Sequence, residues 1–208
     1  MDIFLIRHGQ SEGNARRIFL GHTDWALTPL GQAQAEMTAL FLRSKPIGAV
    51  FASDLIRAVQ TANAFAKKAR LPVQKDARLR EIYAGLWEGI PHEEIARRYP
   101  IDHAVWKQDF DNARPAKGES VMEMRDRVFA CVTELAQMHP GKTLALFTHA
   151  TAIRAFYARL SGTPAQSFSF PPNASVTCVR YENGSFSPIL YGQNDFLGDL
   201  ATALPKTI

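Results

Sequence analysis

Cysteine is scarce in this sequence, and long apolar runs are missing. Only two cysteines occur among 208 residues, which is too few for a disulfide framework or a cysteine-rich metal site. Cys131 lies in a helical pattern and Cys178 in an alternating one, so both are predicted to be buried thiols. No segment approaches the roughly 20 apolar residues of a membrane span, and the apolar start ends at Arg7, too early for a signal peptide. These absences predict a soluble cytoplasmic protein without a membrane partner.

Excess charge of either sign is also small. Lys and Arg total 24 against 20 Asp and Glu, which gives a net charge of +4. The densest basic run, residues 67–70, falls at a predicted helix end, where cations favour the helix dipole. We therefore expect no nucleic-acid partner, whereas a small anionic substrate suits this charge. No Gly-x-Gly-x-x-Gly fingerprint follows the first predicted strand, which disfavours a nicotinamide or nucleotide cofactor.

The chain is long enough for one sizeable core, since 46% of its residues are hydrophobic, and a single domain over residues 1–208 is the default. Apolar runs alternate with segments of helical spacing. Strands are predicted at 2–6, 47–52, 143–147, 175–181 and 186–191, and helices at 29–44, 55–69, 119–139 and 151–161, with an irregular helical insertion at about 80–118. This alternation predicts an α/β fold, a three-layer sandwich with a mainly parallel central sheet flanked by helices. Asn183-Gly184 predicts a C-terminal hairpin.

Polar side chains directly follow three predicted strands. They are Arg7 and His8 after the first, Ser53, Asp54 and Arg57 after the second, and Thr148 and His149 after the strand at 143–147. Because ligands bind beyond the carboxyl ends of parallel strands, we expect these side chains to share one site. An arginine at the end of a buried strand needs an anionic partner, and Gly9 would let the backbone approach a ligand closely.

Each of these residues also has an ordinary structural interpretation. A histidine after a strand is usually a structural residue with satisfied hydrogen bonds, so His8 alone is weak evidence. Ser11 is as compatible with capping a helix as with contacting a ligand. Arg57 is compatible with an exposed helix position paired with Asp54. The sequence pattern alone leaves these alternatives open.

Longer segments of the sequence help to decide between these structural and functional interpretations. Residues 5–14 read Leu-Ile-Arg-His-Gly-Gln-Ser-Glu-Gly-Asn, and further segments follow in order at 21–24, 27–32, 53–62, 79–89 and 148–154. Together they resemble the histidine phosphatase superfamily, in its phosphoglycerate mutase-like branch. The resemblance implies a phosphatase that moves the phosphoryl group of a small phosphate ester to a histidine and then to water. It implies no metal and no other cofactor.

The resemblance also implies a role for individual residues. His8 is expected to be the nucleophile and Glu81 the proton donor, while Arg7, Arg57 and His149 form the phosphate pocket and complete the catalytic set. The residues expected to bind substrate are Arg7, Asn14, Gly21, Arg57, His149 and Ala150. Phosphoryl transfer spreads charge over three oxygens, and guanidinium groups suit that geometry.

Protonation sets further expectations for this site. His8 must present an unprotonated ring nitrogen, and two adjacent arginines disfavour its imidazolium form. Its other ring nitrogen then needs an acceptor, for which we expect a backbone carbonyl. Bound phosphate would hold a proton on His149. Glu88 is the rival of Glu81 as proton donor, and Glu81 is favoured because Glu88 lies in what reads as a structural turn.

Two positions depart from the family pattern. Ala150 stands where the family usually has glycine, which adds a methyl group near the phosphate, and Leu20 stands where many relatives carry a polar residue. The leaving-group side is expected to be lined by Leu20, His22, the insertion at 90–115 and residues 168–173, and the substrate is left open.

Three further questions stay open at this level. A phosphoglycerate mutase would use the same pocket, but the mutases that this chain resembles carry a longer insertion and tail, so phosphate release is expected. A catalytically inactive relative that binds phospho-ligands would be expected to lack His8, Glu81 or His149, and all three are present. The oligomeric state is open, with a homodimer as one arrangement.

Overall fold

A six-stranded mixed sheet forms the centre of the computed structural model, which describes residues 1–202. Its strands are β1 (Asp2–Arg7), β2 (Ile47–Ala52), β3 (Val73–Lys75), β4 (Thr143–Thr148), β5 (Val176–Glu182) and β6 (Ser185–Gln193). The order across the sheet is β3-β2-β4-β1-β5-β6. The first four strands in this order are parallel, and β5 and β6 are antiparallel additions. The predicted α/β fold with a mainly parallel sheet is therefore confirmed.

Helices cover both faces of this sheet. They are α1 (Glu12–Ala15), α2 (Pro29–Leu42), α3 (Ile56–Ala69), α4 (His92–Arg98), α5 (Pro100–Gln108), α6 (Val121–Met138) and α7 (Ala150–Ser161). Alternate residues of the strands point to opposite faces. Ile3 and Leu5 of β1 belong to the buried cluster that contains α6 and α7, whereas Phe4 and Ile6 belong to the cluster that contains α2 and α3. The result is the predicted arrangement of three layers.

The helix boundaries follow from their caps. Thr28 accepts a hydrogen bond from the backbone of Gly31 and Pro29 occupies the first turn of α2, as the sequence predicts. The helix predicted from residue 119 begins two positions later, because Ser120 and Glu123 form a capping box. In the hairpin, Asn183 and Gly184 adopt φ values of +50° and +79°, which the two-residue turn requires.

The sequence did not predict strand β3, whereas it did predict a helical insertion at about 80–118. The three-residue strand β3 is too short to show a periodic pattern, yet it pairs with β2 and extends the sheet. The irregular insertion contains the helices α4 and α5, and Trp106 from α5 packs edge-on against Phe19 and Trp87 with ring centroids 5.4 and 5.5 Å apart. These aromatic contacts fix the insertion beside the carboxyl ends of the parallel strands.

Both cysteines are buried free thiols, as predicted. Burial raises the pKa of Cys131 to about 12 and that of Cys178 to about 11. Among residues 1–202, no helix is long and apolar enough to cross a membrane.

Candidate active site

The carboxyl ends of β1, β2 and β4 lie side by side because these strands are neighbours in the sheet. A small pocket of about 70 Å³ opens there. The predicted site residues that line it are Arg7, His8, Asn14, Gly21, Arg57, Glu81 and Ala150. His149 is completely buried beside it, with its ring centroid 5.1 Å from that of His8. The structure thus brings all eight predicted residues together, while their chemical roles stay predictions.

His8 follows β1 and is 4% exposed. Its Nδ1 lies 2.7 Å from the backbone carbonyl oxygen of Gly9, which can only accept, so Nδ1 carries the proton and Nε2 keeps a free lone pair. Burial, with help from the charges of Arg57 and Arg7, holds the pKa of His8 well below its usual value of 6.5. The neutral tautomer expected of a nucleophile is therefore the one that this geometry favours.

His149 caps the N-terminus of α7 through its backbone. Neither ring nitrogen has a hydrogen-bond partner among residues 1–202, although both are buried. Burial and the charge of Arg57 keep the pKa of His149 well below 6.5. A buried imidazole with two unsatisfied nitrogens is costly, and an anion in the adjacent pocket would supply an acceptor and favour its proton.

Arg7 and Arg57 bring positive charge to the pocket. The Nη1 atom of Arg7 donates to the carbonyl of Pro171 at 2.7 Å, and the two Nη atoms of Arg57 donate to the carbonyls of Thr23 and Gly21 at 2.9 and 2.8 Å. Each Nε is buried and has no partner within the described chain. Burial lowers the pKa of each arginine to about 10. Most of their N–H donors thus remain for a ligand.

Arg57 is not the exposed partner of Asp54. It is 1% exposed, and Asp54 pairs instead with Arg80, whose Nη2 lies 2.5 Å from the carboxylate. The interpretation of Arg57 as an ordinary surface residue is therefore wrong.

The two candidate carboxylates have different surroundings. Glu81 lies on the pocket wall, where its oxygens accept from the backbone N–H groups of Thr151 and Ala152 in the first turn of α7, at 3.1 and 3.2 Å. Glu88 does not line the pocket and accepts from the backbone of His22 and Thr23 at 2.7 and 2.6 Å. Glu88 therefore fixes a loop, whereas Glu81 faces the space that a substrate would occupy.

Asn14 is oriented by two neighbours, Ser11 and Asn173. Its Oδ1 accepts from the Ser11 backbone and from Nδ2 of Asn173, both at 3.1 Å, so its own amino group is the part left for the pocket. Ser11 caps α1 with its side chain and is fully buried, which selects the capping interpretation. Asn173 also donates to the carbonyl of His8 at 3.3 Å. The sequence placed Asn173 only in the segment at 168–173 expected to line the leaving-group side, and no local pattern indicated its contact with Asn14.

Two expectations about the loops need correction. The close backbone approach that Gly9 allows is to protein, because a Cβ there would collide with the carbonyl oxygen of Gly31. His22 does not line the pocket, since its Nε2 is bonded to the backbone carbonyl of Glu81 at 2.9 Å. Gly21 has φ +51° and a Cβ there would meet the Glu88 carboxylate at 2.2 Å, so glycine is needed for the loop itself.

The remaining wall is largely apolar and aromatic. Leu20 lies on it as expected, the insertion contributes His92 and Trp106, and the segment at 168–173 contributes Phe170. Ala150 begins α7 at the pocket edge and is 8% exposed. Among residues 1–202, no group of three or more His, Cys, Asp or Glu side chains is arranged to hold a metal ion.

Comparison with known proteins agrees with this arrangement. The histidine phosphatase superfamily (branch 1) profile matches residues 3–194. The chain belongs to this superfamily. The match includes every residue of the pocket described above.

Named relatives of this histidine phosphatase include phosphatases and a probable phosphoglycerate mutase. It is 31% identical to phosphoserine phosphatase 1 of Hydrogenobacter thermophilus over 86% of each chain. It is also 31% identical to a probable phosphoglycerate mutase of Yersinia enterocolitica, over 95% of this chain and 88% of that protein. A mycobacterial glucosyl-3-phosphoglycerate phosphatase, solved as a complex with VO3, superimposes with a TM-score of 0.86 at 28% identity, covering 93% of this chain and 99% of that one. The chain is an enzyme of the phosphatase type.

Proposed function

We propose that this histidine phosphatase hydrolyses small phosphate monoesters through a phosphohistidine at His8. The fixed tautomer of His8 is the observation that carries the proposal. The Gly9 carbonyl holds the proton on Nδ1, so the lone pair of Nε2 is available to attack phosphorus. A pKa well below 6.5 keeps that lone pair free at neutral pH.

The proposed reaction has two steps. In the first, Nε2 of His8 forms a bond to phosphorus while the bond to the leaving oxygen breaks, and Glu81 gives that oxygen its proton. Arg7 and Arg57 stabilise the charge on the three phosphoryl oxygens. In the second step the Glu81 carboxylate takes a proton from water, the new P–O bond forms, and the P–N bond breaks to return neutral His8. Phosphate leaves, and the protons balance.

Trapping the intermediate tests this proposal. A 32P-labelled monoester is mixed with enzyme and quenched at times shorter than one turnover. We expect label on the protein that is stable in base and lost in acid, as a phosphoramidate requires. His8→Asn, which keeps the size of the side chain, should carry no label. Turnover without labelled protein, under conditions where the second step is slowed, would argue for direct attack by water.

We also propose that the chemistry needs no metal ion. The charge that a divalent cation would offset is offset here by Arg7 and Arg57, both of which keep unused N–H donors toward the pocket. Activity should therefore survive dialysis against a chelator. Loss of activity that returns with a divalent metal would contradict this part of the proposal.

Mutase activity is the second candidate, and one finding favours it. The Yersinia relative named as a probable phosphoglycerate mutase matches 95% of this chain and 88% of its own length, so chain length does not separate the two activities. A panel of monoesters and a mixture of 3-phosphoglycerate with 2,3-bisphosphoglycerate are assayed in parallel. Phosphate release from the panel supports a phosphatase, whereas rapid isomer formation with little phosphate release would assign a mutase.

We also propose a cytoplasmic location, since two cysteines are too few for a disulfide framework. Cys131 and Cys178 are buried on different faces of the sheet and unpaired, which suits a reducing compartment. Fractionation of the source cells with a tagged chain would test the location directly.

A further inference from the structure

A second, larger cavity lies beside the active-site pocket. Its volume is about 280 Å³, against about 70 Å³ for the pocket. It is lined by the end of α1, the start of α4 and one side of α5, with side chains from Arg16, Arg17, Pro91, His92, Glu93, Ala96, His103 and Lys107. Its two sides are tied together, since the backbone N–H of His92 donates to the carbonyl of Arg17 at 3.0 Å. We refer to it as the basic cavity.

Positive charge in the basic cavity is largely unpaired. Arg16, Arg17 and Lys107 form no salt bridge with any carboxylate of residues 1–202. Arg16 rests on the ring of Trp25 at 5.0 Å, which leaves its charge in place. Glu93 is the one carboxylate on the wall.

The two histidines of the basic cavity have lowered pKa values, chiefly because of burial. Burial lowers the pKa of His92 to about 4, and the charges of Arg17, His103 and Arg7 add to the effect. Burial and Lys107 also lower the pKa of His103. Both imidazoles are therefore mainly neutral at pH 7, and the fixed charges are those of Arg16, Arg17 and Lys107 against Glu93.

The basic cavity and the pocket share a wall. His92 lines both, and Arg7 in the pocket is close enough to influence the charge of His92. A pocket of about 70 Å³ is far below the roughly 300–1,000 Å³ of sites that enclose a small molecule. It can hold a phosphoryl group, while the rest of a substrate must extend outward, and the wall formed by His92 leads toward the basic cavity.

We propose that the basic cavity is a second anion-binding subsite, which selects phosphate monoesters whose leaving group carries its own carboxylate or phosphate. The inference rests on the proposed phosphatase function and narrows its substrate class. Arg17 and Lys107 bind the second anionic group, and His92 contributes a neutral polar wall between the two sites. The subsite acts on binding and not on the chemical step, because it lies outside the pocket that holds the reacting atoms.

Matched substrates isolate the second anionic group. O-Phosphoserine and O-phosphoethanolamine differ by one carboxylate close to the ester, and 6-phosphogluconate and D-glucitol 6-phosphate, both open chains, differ by one carboxylate far from it. In at least one pair, we expect the member that carries the carboxylate to have a kcat/KM at least about tenfold higher than its partner. Charge-assisted hydrogen bonds contribute on this scale. The pair that responds shows the distance between the two anionic groups. Added salt should shrink the preference.

Charge-removing variants assign the preference to the basic cavity. In the double variant Arg17→Gln/Lys107→Gln, KM for the preferred anionic substrate should rise about tenfold while kcat stays constant, as loss of uniform binding predicts. Its kcat/KM for p-nitrophenyl phosphate should stay within about twofold, which also shows that the variant is folded. Arg43→Gln/Lys75→Gln, which removes two exposed charges elsewhere, is the matched control.

The possible failures are distinguishable. If the unchanged enzyme hydrolyses p-nitrophenyl phosphate but shows no preference in either pair, the subsite is overturned and the phosphatase proposal stands. If the Arg17→Gln/Lys107→Gln variant loses equal activity on substrates whose leaving group is anionic and on substrates whose leaving group is neutral, the subsite is also overturned. If no monoester is hydrolysed at all, the proposed function fails and the subsite fails with it.

Discussion

Arginines in the pocket and arginines on the outer surface have different hydrogen-bond partners. Arg57 is 1% exposed and donates only to the carbonyls of Thr23 and Gly21. Arg80 is about one-third exposed and binds the Asp54 carboxylate through Nε and Nη2, at 2.6 and 2.5 Å. Burial lowers the pKa of Arg57 to about 10, whereas the bond to Asp54 raises that of Arg80.

This difference indicates where the molecule keeps charge for a ligand. A buried guanidinium without a carboxylate partner destabilises the fold, so its presence needs a compensating gain. Bound phosphate would supply that gain by offsetting Arg7 and Arg57 together. On the surface, paired arginines contribute little to stability and nothing to the pocket.

Removing a pocket arginine should have the largest effect. Arg57→Gln is expected to lower kcat/KM about a thousandfold, because a guanidinium that stabilises transferring phosphoryl oxygens contributes on that scale. Arg180→Gln, which breaks an exposed pair with Asp2 at the opposite end of β1, should keep activity within about threefold. Steady-state kinetics with one monoester measures both, and similar losses in the two variants would remove the contrast between the arginine sets.

As the pH falls, the free energy of unfolding should decrease through the pocket histidines before the surface ion pairs are affected. The pKa values of His8 and His149 lie well below 6.5 because of burial and nearby Arg57, so the unfolded chain binds protons first as the pH falls below 6.5. The free energy of unfolding is then lost at up to about 1.4 kcal/mol per pH unit for each histidine. Urea unfolding between pH 7 and pH 5 measures the slope.

The double variant His8→Asn/His149→Asn supplies the control for this slope. It should lose less stability over the same pH range, although His92, with a pKa of about 4, still contributes. An unchanged slope would show that the two pocket histidines are not the groups that titrate on unfolding.

A smaller loss is expected when a residue that only orients the pocket is removed. Asn173→Ala should reduce kcat/KM about tenfold, because Asn173 holds Oδ1 of Asn14 and leaves the Asn14 amino group toward the substrate. Combining it with Asn14→Ala should add little further loss, since coupled residues are not additive. Asn63→Ala on α3 serves as the matched control. Full additivity of the two losses would contradict the orienting role.

The smallest effect should come from the surface pair itself. Arg80→Gln is expected to lower the free energy of unfolding by less than about 1 kcal/mol, because the pair with Asp54 is partly exposed and screened by water. Chemical denaturation in low and high salt measures this. A loss well above that value would mean that surface pairs matter more to this fold than their exposure suggests.

The parts of the structure that sequence reasoning predicted are those with a local signal. Strand and helix periodicity gave the layers, and the polar residues after β1, β2 and β4 identified the pocket before any geometry was known. The cap at Thr28 and the hairpin turn at Asn183 depend on adjacent residues, so their patterns were sufficient. Family resemblance added Glu81, which no strand end would have indicated.

The parts that were missed depend on packing between distant segments. Gly9 looked suited to a ligand because the partner that demands glycine, Gly31, lies on another element. Asn173 orients Asn14 from 159 positions away along the chain. The basic cavity forms only when Arg17 and Lys107, which no short pattern connects, are brought together by the docking of α4 and α5.

Residues 92–108 contact the rest of the molecule through Trp106, whose ring touches Phe19 and Trp87, and through His92, which packs on Phe19 and donates its backbone N–H to Arg17. The nucleophile and the pocket arginines lie on the sheet and its adjoining helices. The segment beside the substrate is thus separate along the chain from the elements that hold the reacting groups. A chimera that receives this segment together with residues 16 and 17 from a relative, with Trp106 kept as the anchor, should inherit the donor's substrate preference and retain its own turnover chemistry. The fold in this sense separates the residues that carry out the reaction from those that select the substrate.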